Sequence, residues 1–197
     1  MKTLQLNGWF ADFEQQNFFY GRIFIEHGRI REIKETGERR LTWAERRGAR
    51  PIILPGLVDS HIHIESSMLM PSVFARQAAH FGTVATISDP HEIANVLGLD
   101  GIRLMMEDAE KACIRIYFTA PSCVPATLME SSGAVLEADD LTDLFKEDKV
   151  VALGEMMNFP GVLTSNAAVM KKLDLAKKFD KPIDGHAPGL SGTALDQ

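Results

Sequence analysis

Cysteine is scarce: the 197 residues contain two, Cys113 and Cys123. That is too few for a disulfide framework and fits a reducing cytosol. No apolar run approaches the roughly 18 residues a membrane helix needs. The first residues, MKTLQLNGWFADFEQ, reach Asp12 and Glu14 before the apolar core of a signal peptide can form. Positive charge is not in surplus either, with 21 Lys and Arg against 27 Asp and Glu and a net charge of −6. That sign is wrong for a surface that grips phosphates. Together these absences predict a cytoplasmic protein with no nucleic-acid and no membrane partner.

Several catalytic signatures are missing as well. The chain holds no GxSxG elbow, no GxxxxGK[ST] phosphate loop and no GxGxxG fingerprint. The zinc nucleobase-deaminase signature, HxE followed by PCxxC, is absent because no downstream cysteine pair exists. No residue is marked as a serine-type nucleophile.

What is present is an ordinary globular composition, 45% hydrophobic and 24% charged, long enough for one or two domains with a real core. Its texture changes near residue 50. Before that point, LQLNGWFADF and GRIFIEHGRIREIKE are short alternating segments, with Ile23, Ile25, Ile30 and Ile33 at the inward positions and His27-Gly28 as a hairpin turn. Residues 1–50 therefore read as a β-segment of a small domain, ending in the charged link GERRLTWAERRGAR. Residues 51–197 instead alternate strands with helices. The strands are IILPGLVDSHIHI, TVATISD, CIRIYFTAPS, VVALGEMMN and KPIDGHAP; the helices are PSVFARQAAHF, GIRLMMEDAEKA, DDLTDLFKED and AAVMKKLDLAKKF. Apolar strands without strict alternation suit a parallel sheet covered on both faces. Such repetition predicts an α/β fold, either an open doubly wound sheet or a (β/α)8 TIM-like barrel, here its first five strands. With four βα units and a fifth strand, the barrel reading makes the chain truncated relative to a complete one.

The polar residues fall at the carboxyl ends of these strands, where α/β folds bind ligands. They are Asp59, His61, His63 and Glu65; Asp89, His91 and Glu92; Ser122; Glu155 and Asn158; and Asp184 and His186. His61 and His63 stand two apart on a strand, so both imidazoles face one side and can share a divalent cation. Glu155 can bridge two cations, one per oxygen; the bland alternative is a salt-bridged or capping glutamate. His186 is a candidate ligand for a second metal, or a turn residue before Ala-Pro-Gly. His91 and Glu92 are open to three roles: substrate contact, a further metal, or a helix cap. His80 and His27 read as structural, and Cys123 lacks a CxxC partner.

PGLVDSHIHIESSM resembles the first-strand motif of the amidohydrolase superfamily. Its trailing ESSM, with ISDPHEIANVLG, FTAPSCVPAT, ALGEMMNFPGV and DGHAPGLSG in order, is similar to the adenine deaminase branch. The resemblance spans about residues 20–192. It implies a distorted (β/α)8 barrel, a small composite β-domain and a binuclear divalent metal centre, with manganese or iron ahead of zinc. It implies His61 and His63 on the first metal, Glu155 as the bridge and a catalytic group, and His186 on the second metal. Many relatives bridge with a carboxylated lysine, so Glu155 favours the deaminase-like branch over hydantoinases and dihydroorotases. The implied reaction is hydrolytic deamination of adenine to hypoxanthine and ammonia, in purine salvage and adenine catabolism. In that scheme Glu92 is a candidate proton donor to the ring, and His91, Glu92 and Ser122 are candidate substrate contacts. A homo-oligomer is expected for the full-length enzyme. A further metal-binding His after a sixth strand and a catalytic Asp after an eighth are also implied, and neither strand is in this sequence. The rival readings are an amidohydrolase acting on another cyclic amide or aminated heterocycle, and an inert truncated fragment.

Overall fold

Pro55 and Gly56 divide the apolar run that begins at Ile52 into strands of two different sheets. A computed structural model describes residues 4–45, 51–127 and 129–196; residues 46–50 of the charged link lie outside the described residues. The chain forms two compact units, Met1–Pro55 and Gly56–Gln197.

In the first unit, β1 (Leu4–Asp12), β2 (Asn17–Glu26), β3 (Arg29–Glu35), β4 (Leu41–Thr42) and β5 (Ile52–Ile53) form one sheet. Its order is β3-β2-β1-β5, with β4 paired to β2. The hairpin falls at His27-Gly28, both at positive φ (53° and 73°). Two such residues in a two-residue loop match the right-handed twist of the flanking strands. Trp9, Phe10, Phe18 and Ile23 are buried. Ile30 and Ile33, expected to point inward, are instead 61% and 46% exposed. They lie on β3, an edge strand whose every residue is exposed, so alternation there has no buried face to record. Ile52-Ile53 belongs to this sheet, pairing in parallel with Trp9 and Phe10.

The second unit holds a parallel sheet of β6 (Leu57–Ile62), β7 (Thr83–Ser88), β8 (Arg115–Ala120), β9 (Val150–Met156) and β10 (Ile183–Gly185). The strand order follows the chain, β10-β9-β8-β7-β6, without reversal. A doubly wound sheet reverses order at a switch point; an unbroken progression is that of consecutive barrel strands. The architecture is therefore α/β, the first five strands of a TIM-like barrel. Helix α1 (Pro71–His80) starts with proline at its first turn, where no N–H bond is lost. Helix α2 (His91–Ala109) is broken at Gly98, whose φ of 61° suits only glycine well. Helix α3 (Phe159–Leu163) and α4 (Ala167–Lys178) precede β10, and the Asn166 side chain caps α4 by accepting from Ala168 and Val169 N–H.

Two helix expectations change. The helix expected from Gly101 begins ten residues earlier, at His91, so the His91-Glu92 pair opens a helix directly after β7. The expected helix over DDLTDLFKED is a run of turns with one short 3-10 segment at Leu144–Lys146. Aspartates compete with helical hydrogen bonding by satisfying nearby backbone groups, and Asp140 Oδ2 accepts from Glu137 N–H at 2.8 Å. Leu141, Leu144 and Phe145 are nonetheless buried, joining Ile102, Phe118 and Leu153 in the core between sheet and helices. No helix among the described residues is long and apolar enough to cross a membrane.

Candidate metal centre

His61 and His63 lie at the end of β6, Asp89 and His91 just after β7, and Glu155 on β9. Parallel pairing puts these carboxyl ends on one rim. The backbone thus carries residues nearly a hundred positions apart to a single point.

Each histidine of the β6 pair is tethered by one ring nitrogen. His61 Nδ1 lies 2.6 Å from Asp184 Oδ2, and His63 Nδ1 lies 2.9 Å from the Asp89 carbonyl oxygen. Carboxylate and carbonyl oxygens only accept, so in neutral rings both Nδ1 atoms carry the proton and both Nε2 atoms present a lone pair. Those Nε2 atoms are 3.2 Å apart, and Glu155 Oε2 lies 3.5 Å and 3.4 Å from them. Three electron-rich atoms thus face one another. Glu155 is buried at 7% exposure, where the mutual repulsion of acceptors is poorly screened. A cation between them converts that repulsion into attraction.

Glu155 Oε1, the other oxygen, is in direct contact with His186 Nδ1. The structure therefore brings together all four residues marked in the sequence as metal ligands, His61, His63, Glu155 and His186, around one carboxylate. A second group converges beside it, formed by Asp89, His91 and Glu155. Asp89 Oδ1 and His91 Nδ1 are 3.6 Å apart, and both are buried with no hydrogen-bond partner among the described residues. They face each other as an ion pair when His91 is protonated, at a separation longer than a hydrogen bond, which leaves both atoms able to meet a ligand. The neighbouring Asp89 carboxylate raises the His91 pKa, and burial raises that of Glu65. Two imidazoles and a carboxylate in the first group, and one imidazole and two carboxylates in the second, with no sulfur in either, suit a borderline or hard divalent ion. The residues present fit a metal centre.

The remaining sequence candidates sit differently. Glu92 is exposed, accepts from Ser66 Oγ at 2.6 Å and belongs to neither converging group. Ser122 is buried, and its hydroxyl donates to the Glu155 carbonyl at 2.6 Å, which fixes the Glu155 backbone. Sequence reading noted Asp89 and Asp184 at strand ends and gave them no role. Their positions carried the signal, but which ring nitrogen each would meet is a matter of tertiary geometry. Lys172 carried none: it stands in a helical run, yet it is buried and donates to the Ser122 and Leu136 carbonyls at 2.8 Å and 2.6 Å. Burial lowers its pKa.

A parallel βα array whose strand ends gather histidines and a carboxylate is the layout of a metal-dependent hydrolase. The model of the amidohydrolase family matches residues 52–196, and the chain belongs to that family, which implies a divalent metal centre. Among curated proteins it is 51% identical over its full length to an adenine deaminase of Methanosarcina barkeri, spanning 34% of that protein. It is 56% identical over 144 residues to one of Methanothermobacter thermautotrophicus, covering 73% of this chain and 27% of that one. The chain thus spans about a third of the length of these relatives. A solved 5-methylcytosine deaminase from Klebsiella pneumoniae shares the fold at a TM-score of 0.50 and 15% identity, over 96% of this chain and 52% of that one.

Proposed function

We propose that this chain forms the first part of a metal-dependent deaminase that hydrolyses adenine to hypoxanthine and ammonia. The observation that carries the metal centre is the convergence of the His61 and His63 Nε2 atoms on one buried Glu155 oxygen. The choice of adenine is supported by the adenine deaminases to which the chain is about half identical.

In this reading His61 and His63 would hold one cation, Glu155 would be shared with a second, and His186 would hold that second one. Manganese or iron is the proposed metal, in line with a donor set of nitrogen and oxygen. Bound divalent cations supply Lewis acidity, lowering the pKa of water from 15.7 towards about 7 so that hydroxide is available at neutral pH. The protein's part is to hold the ligands and present the ring. Asp184 and the Asp89 carbonyl fix the two imidazoles with their lone pairs inward. Ser122 fixes Glu155 from its carbonyl. His91, at the opening of α2, is the proposed contact to the purine, and Glu92 is the proposed proton donor to a ring nitrogen, which makes C6 more electrophilic. Residues 1–50 are proposed as part of a small composite β-domain. The complete enzyme is proposed to be a cytoplasmic homo-oligomer acting on a small molecule in purine salvage.

The test is incubation of the manganese-loaded chain with adenine, measuring hypoxanthine, ammonia and bound metal per chain, beside His61→Ala. Loss of bound metal in the variant is the expected result, together with loss of any hypoxanthine and ammonia that the wild-type chain forms. Undiminished metal stoichiometry in His61→Ala would overturn the ligand assignment. A metal-loaded chain that deaminates another aminated heterocycle and leaves adenine unchanged would overturn the substrate.

A further inference from the structure

Asp89 is among the most deeply buried charged residues described, at 1% exposure, and it touches two of the converging side chains' supports at once. Its carbonyl oxygen meets His63 Nδ1 at 2.9 Å, and its Oδ2 accepts the Glu155 backbone N–H at 2.7 Å. To reach that amide the carboxylate crosses an intervening strand, because β8 lies between β7 and β9. Room for the crossing comes from Gly154. A Cβ on Gly154 would stand 2.6 Å from Asp89 Oδ2 and 2.6 Å from Thr119 Oγ1. Gly154 does not adopt a positive φ, so its lack of a side chain serves space and not backbone freedom. A glycine on β9, a small Thr119 on β8 and a buried aspartate after β7 form one built arrangement.

We infer that Asp89 is a positioning residue for the metal ligands, setting Glu155 through its amide and His63 through its ring nitrogen, with Gly154 as the gap that admits it. One residue thereby locks ligands from two strands into mutual register. The inference rests on the reading that the cluster holds a divalent cation. It assigns Asp89 a hydrogen-bonding role through Oδ2, distinct from direct ligation.

The test uses Co2+ as the probe metal on the full chain, with affinity and visible absorption read for wild type, His61→Ala, Asp89→Asn, Asp89→Ala, Gly154→Ala and the Gly154→Ala/Asp89→Ala double variant. Changes to groups that orient metal ligands typically cost about 10–100-fold in affinity, and that loss is expected for Asp89→Ala. Its visible bands at saturating Co2+ should also shift, which general loosening of the fold would not cause. Asp89→Asn keeps an oxygen for the Glu155 amide and should recover most of the loss. Gly154→Ala should match Asp89→Ala, and the double variant should be no weaker than either, since both remove one bond. Circular dichroism accompanies each variant; should Asp89→Ala fail to fold, Asp89→Asn and Gly154→Ala decide. Asp89→Asn as weak as Asp89→Ala, or unaltered affinity and spectrum in Asp89→Ala, would overturn the positioning role while leaving the metal centre intact. Absence of any His61-dependent Co2+ uptake in the wild type would remove the metal centre and the inference with it.

Discussion

An imidazole can bind a cation only through a nitrogen without a proton, and the proton's place is set by what the other nitrogen meets. For His61 that partner is Asp184, 2.6 Å away on β10. Asp184→Ala leaves His61 free to change tautomer and ring orientation, so Mn2+ affinity is expected to fall by about 10–100-fold. Asp184→Asn retains an acceptor oxygen and should lose less. Isothermal titration of both variants checks this, and equal affinity in Asp184→Ala and wild type would remove Asp184 from the account. The His61-His63 pair was legible from its two-residue spacing, because strand periodicity alone sends both rings to one side. The part played by Asp184 was not legible, because 123 positions separate it from the ring it holds.

Among the elements, the strands of the second unit follow the apolar runs closely, from Thr83–Ser88 to Val150–Met156. Helix α4 matches its periodic pattern and owes its start to Asn166, which accepts from two orphan N–H groups at 3.1 Å and 3.3 Å. Asn166→Ala should lower stability by about 1 kcal/mol, the usual cost of losing a cap, measurable by urea unfolding. No change would show that α4 is held by packing alone. The segment 139–148 went the other way, since buried Leu141 and Phe145 satisfy an apolar pattern that a helix and a packed turn share. Burial patterns report which side chains go inward. They do not report the backbone path when aspartates offer local hydrogen bonds of their own.

At the scale of the molecule, a cation that binds only the folded centre stabilises it by mass action. At a hundred times its dissociation constant the gain is about 2.7 kcal/mol. Mn2+ is therefore expected to raise the unfolding temperature of the wild type by several degrees, with EDTA reversing the rise and His61→Ala abolishing it. Scanning calorimetry with and without metal gives the answer, and a metal-independent melting temperature would argue against a preformed site. Local periodicity and the residue types at strand ends were enough for most of the strand and helix alternation, the parallel class of the sheet and the rim on which polar residues gather, while the family was legible through the resemblance of PGLVDSHIHIESSM and the motifs after it. It took the folded chain to show that Ile52-Ile53 pairs with β1, that the strand order runs without reversal, and that Asp89 reaches the Glu155 amide past Gly154. Each depends on which strands lie side by side, and a hydrogen bond between residues 66 positions apart leaves no mark in the spacing of either one.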